Sequence, residues 1–248
     1  MSGRIASGFL LIGLLLALAA CGGGQTSTTT TPPQETTKLR VYFLQNGKVQ
    51  PVSREVTQTQ AVLTAAMEEL LVGPTNAERG IGLTSGFAPD AKLLAASVAN
   101  GVATIVIGGK YTNAGLAQLV YTATQFPTVH SVASGQRRLT RTDFEDSTPL
   151  ILVESPLPFE TVGNPLHATG TANTFEATFQ YDVVEPEGRI VDSHFVTATS
   201  GSGQRGTFDF TTKPYETSRP GLGELVVYEL SAKDGSRIHI VEIPVRMR

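Results

Sequence analysis

The chain has 248 residues, 40% hydrophobic and 17% charged, with 19 Lys and Arg against 22 Asp and Glu, four His, one Cys and no Trp. A formal net charge of -3 without a basic run excludes an electrostatic footprint for nucleic acid or anionic lipid, and a lone cysteine excludes a disulfide framework. Stability must come from packed cores, and the roughly 210 residues beyond position 38 suffice for one large domain or two of about 100 residues.

The N-terminus carries one positive residue, Arg4, then uncharged and mostly apolar residues from Phe9 to Ala20. This run is too short to span a bilayer and fits the apolar region of a secretory signal. It closes on Leu18-Ala19-Ala20-Cys21, where small residues suit cleavage between Ala20 and Cys21. The pattern resembles a bacterial lipobox, which implies lipid on the Cys21 thiol and a new N-terminus there. An ordinary secretory signal with an incidental cysteine is the competing reading; motif, position and the lack of any other cysteine favour lipidation. The expectation is a signal peptide over residues 1–20, with Cys21 as the lipid attachment site. That places the protein outside the cytoplasm, anchored to the cell membrane. Residues 22–38, rich in Gly, Thr and Pro, offer no apolar side chain to offset the entropy of ordering and read as a tether. No later stretch is apolar and long enough for a transmembrane helix.

From 39 to 136 strands and helices alternate. Leu39–Leu44 is strand-like, and Asn46-Gly47 signals a hairpin to the next extended piece. Thr57 to Gln60 has capping-box spacing, which predicts a helix from about Gln58 to Val72. Val62, Ala66 and Leu70 share one face of it, beside Leu63, Met67 and Leu71, and Gly73-Pro74 ends it. Strands follow at Lys92–Ala99 and Val102–Ile107, joined by Asn100-Gly101. A second helix is predicted over Asn113–Gln125, burying Leu116, Val120 and Ala123, then a strand over Val129–Ala133. The order β-β-α-β-β-α-β predicts a compact α+β sandwich with helices on one sheet face.

Residues 137–149 mix Arg137, Arg138, Arg141, Asp143, Glu145 and Asp146 without periodicity and read as an interdomain linker or solvated crossover. Over 150–248 the helical signal disappears. Seven strands are predicted, at about 150–154, 165–171, 175–184, 189–198, 206–212, 224–231 and 236–247. Phe175, Ala177, Phe179, Tyr181 and Val183 alternate with Glu176, Thr178, Gln180 and Asp182, a strand with one wet face. Asp234-Gly235 reads as the last hairpin, and Pro244 as an edge or a bulge. Seven short strands predict an all-β immunoglobulin-like sandwich.

Candidate chemistry is sparse. His130, His167, His194 and His239 form no HExxH, and no cysteine remains to ligate zinc, so no metal and no cofactor is expected. His194 and His239 read as solvent-face strand residues. No Gly-x-Ser-x-Gly occurs, and His130-Ser131 are strand neighbours facing opposite ways. Glu68 and Glu69 diverge by roughly 100° on a helix and read as a solvated face rather than a carboxylate pair. Ser200–Gly206 lacks the Lys-Ser/Thr and following helix of a phosphate loop and reads as a flexible loop, a candidate contact. No catalytic residues are expected.

Two sets of residues carry a resemblance. The run from Ala66 to Pro74, Leu93-Leu94 with Ala103–Val106, and Leu119-Val120-Tyr121-Thr122-Ala123-Thr124-Gln125-Phe126-Pro127 resemble the GerMN domain of sporulation- and germination-linked envelope proteins. Val153–Pro158, Asn164–Ala172, Phe175-Glu176-Ala177 and Tyr228–Gly235 resemble the Gmad2 immunoglobulin-like domain that often follows it. The resemblance implies a small GerMN-type α/β sandwich over 39–136 and a Gmad2 sandwich over 150–248, without an assigned catalytic centre. GerMN domains are similar in topology to ring-building modules, which implies homo-oligomers. The expected protein is a non-catalytic, lipid-anchored binding and assembly module of the cell envelope, related to sporulation or germination. Its expected partners are the membrane, envelope proteins or peptidoglycan, and further copies of itself. A cell-wall glycan-binding protein or an envelope hydrolase is the alternative.

Overall fold

A computed structural model describes residues 35–248; Cys21, the leader and nearly all of the tether lie outside the described residues. Gln34–Arg248 packs as one compact unit, mostly β-sheet. β1 (Thr36–Gln45) and β2 (Lys48–Thr57) form an antiparallel hairpin in continuous register from Thr36↔Thr57 to Gln45↔Lys48. At its tip Asn46 and Gly47 hold φ of 51° and 77°, the pair of left-handed conformations a two-residue type I′ turn needs.

The length of this hairpin corrects the predicted helix start. Thr57 is the last residue of β2, and the Gln58 N–H donates to the Glu35 carbonyl at 2.9 Å, so this backbone is committed to the strand. α1 (Val62–Val72) begins four residues late and has no side-chain cap. It buries Leu63, Ala66, Met67 and Leu70, and Gly73 ends it with φ 86°. A short helix without a predicted counterpart, α2 (Asn76–Gly80), follows because a true capping box lies downstream. The Thr75 N–H donates to Glu78 Oε2 at 2.7 Å and the Glu78 N–H to Thr75 Oγ1 at 3.3 Å. Arg54 grips the same carboxylate at 2.5 and 2.8 Å. Burial opposes ionisation of Glu78, but Arg54 and Thr75 outweigh it and hold the carboxyl below the ordinary range.

β3 (Leu83–Thr84) pairs with β1 only at Leu44 and Gln45. A second sheet joins β4 (Lys92–Ala99), β5 (Val102–Gly108), β6 (Ser131–Ser134) and β7 (Arg137–Leu139) in that order, with β5 and β6 parallel across the crossover helix α3 (Asn113–Ala123). There are thus two sheets where one was expected, and α1 and α3 each touch both.

The reason lies on the side of β1 that β3 leaves unpaired. α3 and the turn that follows it take the place of a strand there through three polar side chains at i, i+4 and i+7. Gln118 donates to the Tyr42 carbonyl at 2.9 Å and accepts from the Gly86 N–H at 2.6 Å. Thr122 Oγ1 accepts from the Tyr42 N–H at 3.1 Å, and Gln125 both accepts from the Arg40 N–H and donates to the Arg40 carbonyl. Backbone groups that a neighbouring strand would have satisfied are paired by side chains. Gln118 and Thr122 are therefore fully buried on a helix expected to bury apolar residues alone, while Leu116 is only partly covered. Replacing Gln118 by leucine strands two buried backbone groups. A loss of about 2–3 kcal/mol in urea denaturation is expected, and an unchanged midpoint would show that α3 does not close this edge.

The mixed-charge segment 137–149 is not a solvated crossover. Its first residues form β7 on the sheet edge, and Arg141–Ser147 is a kinked 3₁₀ helix that buries Phe144 against α3. β8 (Ile151–Ser155) then serves two cores. Ile151 and Val153 enter the core of the second half, whereas Leu152, fully buried, packs into that of the first.

The second half has the seven strands expected of an immunoglobulin-like sandwich. β8, β9 (His167–Ala172) and β12 (Gly206–Thr211) make one sheet; β10 (Thr178–Val184), β11 (Ile190–Thr197), β13 (Gly221–Leu230) and β14 (Arg237–Met247) make the other. Phe179 meets Phe208 edge-on at 4.9 Å and Tyr181 stacks on Phe210 at 4.6 Å between them. Gly170 permits this, since a Cβ there would meet the Phe208 ring at 2.6 Å and the Leu152 carbonyl oxygen at 2.1 Å.

Two details differ from the sequence reading, and the edge position of Pro244 agrees with it. The alternation starts at Thr178, because Phe175–Ala177 is a 3₁₀ turn that leaves Phe175 exposed. Asp182, expected on a wet face, is buried: Ser193 donates to it at 2.6 Å, and Arg237, stacked over Tyr228, covers it at 2.6 Å. Pro244 sits in the edge strand of its sheet, with its carbonyl taking the Phe159 N–H at 2.6 Å. The bulge lies earlier, where His239 and Ile240 stand opposite Tyr228.

Candidate functional site

Two features stand out once the strands are placed, a polar junction that joins the halves and a bare sheet edge. At the junction, Glu154 of β8 reaches into the first half. It accepts from the Tyr42 hydroxyl and from Arg141 at 2.8 Å, with Arg40 at 3.6 Å. The Arg141 guanidinium lies over the Tyr42 and Tyr121 rings at 5.4 and 4.7 Å, and those rings touch at 5.3 Å. Burial raises the Tyr42 hydroxyl well above its ordinary range, and the Glu154 charge adds to this. For Glu154 burial works against ionisation, but Arg141 and the Tyr42 hydroxyl prevail, and its carboxyl titrates below the ordinary range. A second clasp joins Glu145 to Arg205 at 2.8 Å and to Asn173 at 2.8 Å. These groups saturate one another, so the junction holds the halves in place and leaves no free acid or base.

The sheet edge is β4. Its partner is β5, and no backbone bond ties Leu93–Ala99 to any other element among the described residues. No charged residue occurs between Lys92 and Lys110. Leu94, bulged out of register, is 66% exposed, Val106 beside it 44% and Val98 42%. Beyond Lys92 at its start, the strand is a seven-residue uncharged edge with exposed Leu and Val, which folded proteins otherwise blunt with Lys or Pro along its length, and it presents a template for strand addition.

The residues singled out from sequence do not converge. His167 pairs with Asp209 at 2.7 Å on an exposed sheet face, and His239 with Glu229 at 2.6 Å at the bulge. His194 packs its ring edge-on to exposed Phe195, and His130 is exposed while Ser131 is buried. Among the described residues no three His, Cys, Asp or Glu side chains gather to hold a metal, and no helix is long and apolar enough to cross a membrane. Glu68 faces solvent and Glu69 turns to Arg54 at 3.3 Å. The Ser200–Gly206 loop is tied down, with the Gly203 N–H on Asn173 and Arg205 on Glu145. Cys21 lies outside the described residues. Sequence reasoning missed the junction, whose members are spread from Tyr42 to Glu154, and it missed the β4 edge. The uncharged stretch between Lys92 and Lys110 is a signal that points to the edge.

Fold and surface together define a two-core, mostly β protein with an immunoglobulin-like second half, whose conspicuous features are surfaces rather than a pocket of converging acids and bases. A family model described as the immunoglobulin-like domain of bacterial spore germination, Gmad2, matches residues 150–236, and one described as sporulation and spore germination, Germane, matches residues 40–133. The chain thus carries, one after the other, a region matching a sporulation and spore germination domain and a region matching the Gmad2 domain, a GerMN-like plus Gmad2 arrangement. Among solved structures it is similar to the tandem GerMN domains of the sporulation protein GerM from Bacillus subtilis. The identity is 26%, over 44% of this chain and 41% of that one, with a TM-score of 0.36. The chain thus spans about two-fifths of the length of that solved relative. No curated protein matches it.

Proposed function

We propose that this protein is a lipid-anchored, extracytoplasmic, non-catalytic assembly module of the cell envelope, serving a sporulation- or germination-type pathway. Its first half, two sheets bridged by α1 and α3, is read as a GerMN-type α/β sandwich, and its β4 edge joins a second copy strand to strand. The observation that carries this is the bare β4 edge, uncharged from Leu93 to Ala99, with Leu94 and Val106 exposed beside it. Neutral edges can pair with their own kind without like-charge cost. Tethering at Cys21 would confine copies to one plane and raise their effective concentration.

Sedimentation velocity on residues 34–248, which contain both cores, tests the assembly. Concentration-dependent self-association is expected, and Leu94→Lys with Val106→Lys should abolish it while leaving the thermal midpoint in place. A fragment that stays monomeric at every concentration would remove self-assembly, and its retention on purified peptidoglycan would favour glycan binding instead. The anchor has its own test. In the full chain, Cys21→Ala should move the protein from the membrane fraction to the soluble fraction; retention in the membrane would sink lipid anchoring.

A further inference from the structure

A cleft of about 390 Å³ opens between the tip of the β1–β2 hairpin, the segment after the 3₁₀ helix and the β13–β14 bulge. It is at the small end of the range of ligand pockets and lies where two packing units meet, a common place for them. Its apolar lining includes Val49, Leu150, Ile240 and Val241.

Most polar side chains around it are committed elsewhere. Gln45 donates to the Ile81 carbonyl at 2.8 Å, Thr148 meets the Tyr121 hydroxyl at 2.6 Å, and Asn173 binds Glu145 at 2.8 Å and the Gly203 N–H at 2.8 Å. Glu145 is held by Arg205, and His239 by Glu229.

Gln50 is different. It is 3% exposed, and its Nε2 is buried without a partner among the described residues. A carboxamide presents one acceptor and two donors side by side, and burying it unpaired is unfavourable. The complement of such a group is another amide, which offers a carbonyl and an N–H in the matching arrangement. The rim carries Lys48 and Asp146, one charge of each sign, and so favours no net ligand charge. No Phe, Tyr or Trp ring lines the cleft for a sugar face to stack on, and the imidazole of His239 is held by Glu229, whereas the aliphatic walls suit an aliphatic side chain.

We infer that this cleft binds a short, uncharged or zwitterionic peptide with an aliphatic side chain, read through an amide-to-amide pair with Gln50. This is a ligand site separate from the β4 edge, and neither depends on the other.

The test uses residues 34–248 titrated with N-acetyl-alanyl-leucinamide and, in parallel, with an N-acetylglucosamine disaccharide. Binding is followed by amide chemical shifts of the hairpin tip and the bulge. Saturable shifts with the peptide and none with the sugar are expected, and Gln50→Leu should weaken peptide binding about tenfold or more. The same variant should keep or raise the thermal midpoint, because it removes an unpaired buried amide. A purely structural Gln50 would lower the midpoint and leave binding alone. Absence of peptide-induced shifts at the cleft, shifts with the sugar alone, or peptide binding indifferent to Gln50→Leu would each overturn the inference.

Discussion

Leu152→Ala is expected to destabilise the protein by about 2–5 kcal/mol and to loosen the half of the chain in which Leu152 does not formally lie. The residue belongs to β8, a strand of the immunoglobulin-like sheet, yet its fully buried side chain packs among the core residues of the first half. Removing three carbons there opens a cavity in that core, where β8 meets β2. Val153→Ala is the matched control, since Val153 is equally buried but faces the second core. Hydrogen exchange separates the two. Amides of α3 and β1 should exchange faster in Leu152→Ala, and those of β10 and β13 in Val153→Ala. Urea denaturation supplies the magnitude. A loss under about 1 kcal/mol, or an effect confined to the second half, would mean that β8 does not bridge the cores.

Glu154→Gln is expected to cost about 2–3 kcal/mol at neutral pH and to flatten the response of the protein to acid. The side chains of Glu154 and Arg141 keep 14% and 29% exposure, so the cost falls below that of breaking a fully buried pair, about 3–5 kcal/mol. The sign follows from the lowered carboxyl. A Glu whose folded value lies below its unfolded value of about 4.3 contributes stability that is fully present above that pH. The contribution fades as pH falls through the folded value. Glu78 and Glu145, lowered despite burial by Arg54 and Arg205, add to the same acid limb. Denaturation curves from pH 7 down to 3 should therefore converge for the parent and Glu154→Gln. Parallel curves would show that the carboxylate charge is not what holds Tyr42 and Arg141 at the junction.

Much of the architecture is legible along the chain. The type I′ turns at Asn46-Gly47 and Asn100-Gly101 and the apolar face of α1 are local matters of backbone conformation and side-chain spacing, and each lies where its residues predict. All seven strands of the second half occur for the same reason. The errors share a cause. Thr57–Gln60 has the spacing of a capping box, but pairing with Thr36 and Glu35 keeps Thr57 and Gln58 extended at the end of β2. Thr75 and Glu78 have the same spacing and do cap a helix, with Arg54 from β2 completing the arrangement. Spacing alone does not tell these apart, because the outcome depends on a partner far away in the chain.

Of the candidate surfaces, less was legible. Arg141 sits in a stretch whose charges read as solvated, and nothing local says that one of them will lie across two tyrosine rings. Gln118, Thr122 and Gln125 look like polar positions on an amphipathic helix until β1 is placed beside them.

By itself the sequence determined the absence of a disulfide framework, the lipobox pattern ending at Cys21, the change from mixed elements to all-β near residue 150, and the family motifs. These depend on composition, local turn chemistry and short-range periodicity. Only the tertiary structure decided that the two halves share strand β8, that a helix rather than a strand closes β1, that β4 is left bare, and that Gln50 is buried without a partner. Each of these depends on which groups meet across long stretches of chain, and burial and pairing are properties of that meeting.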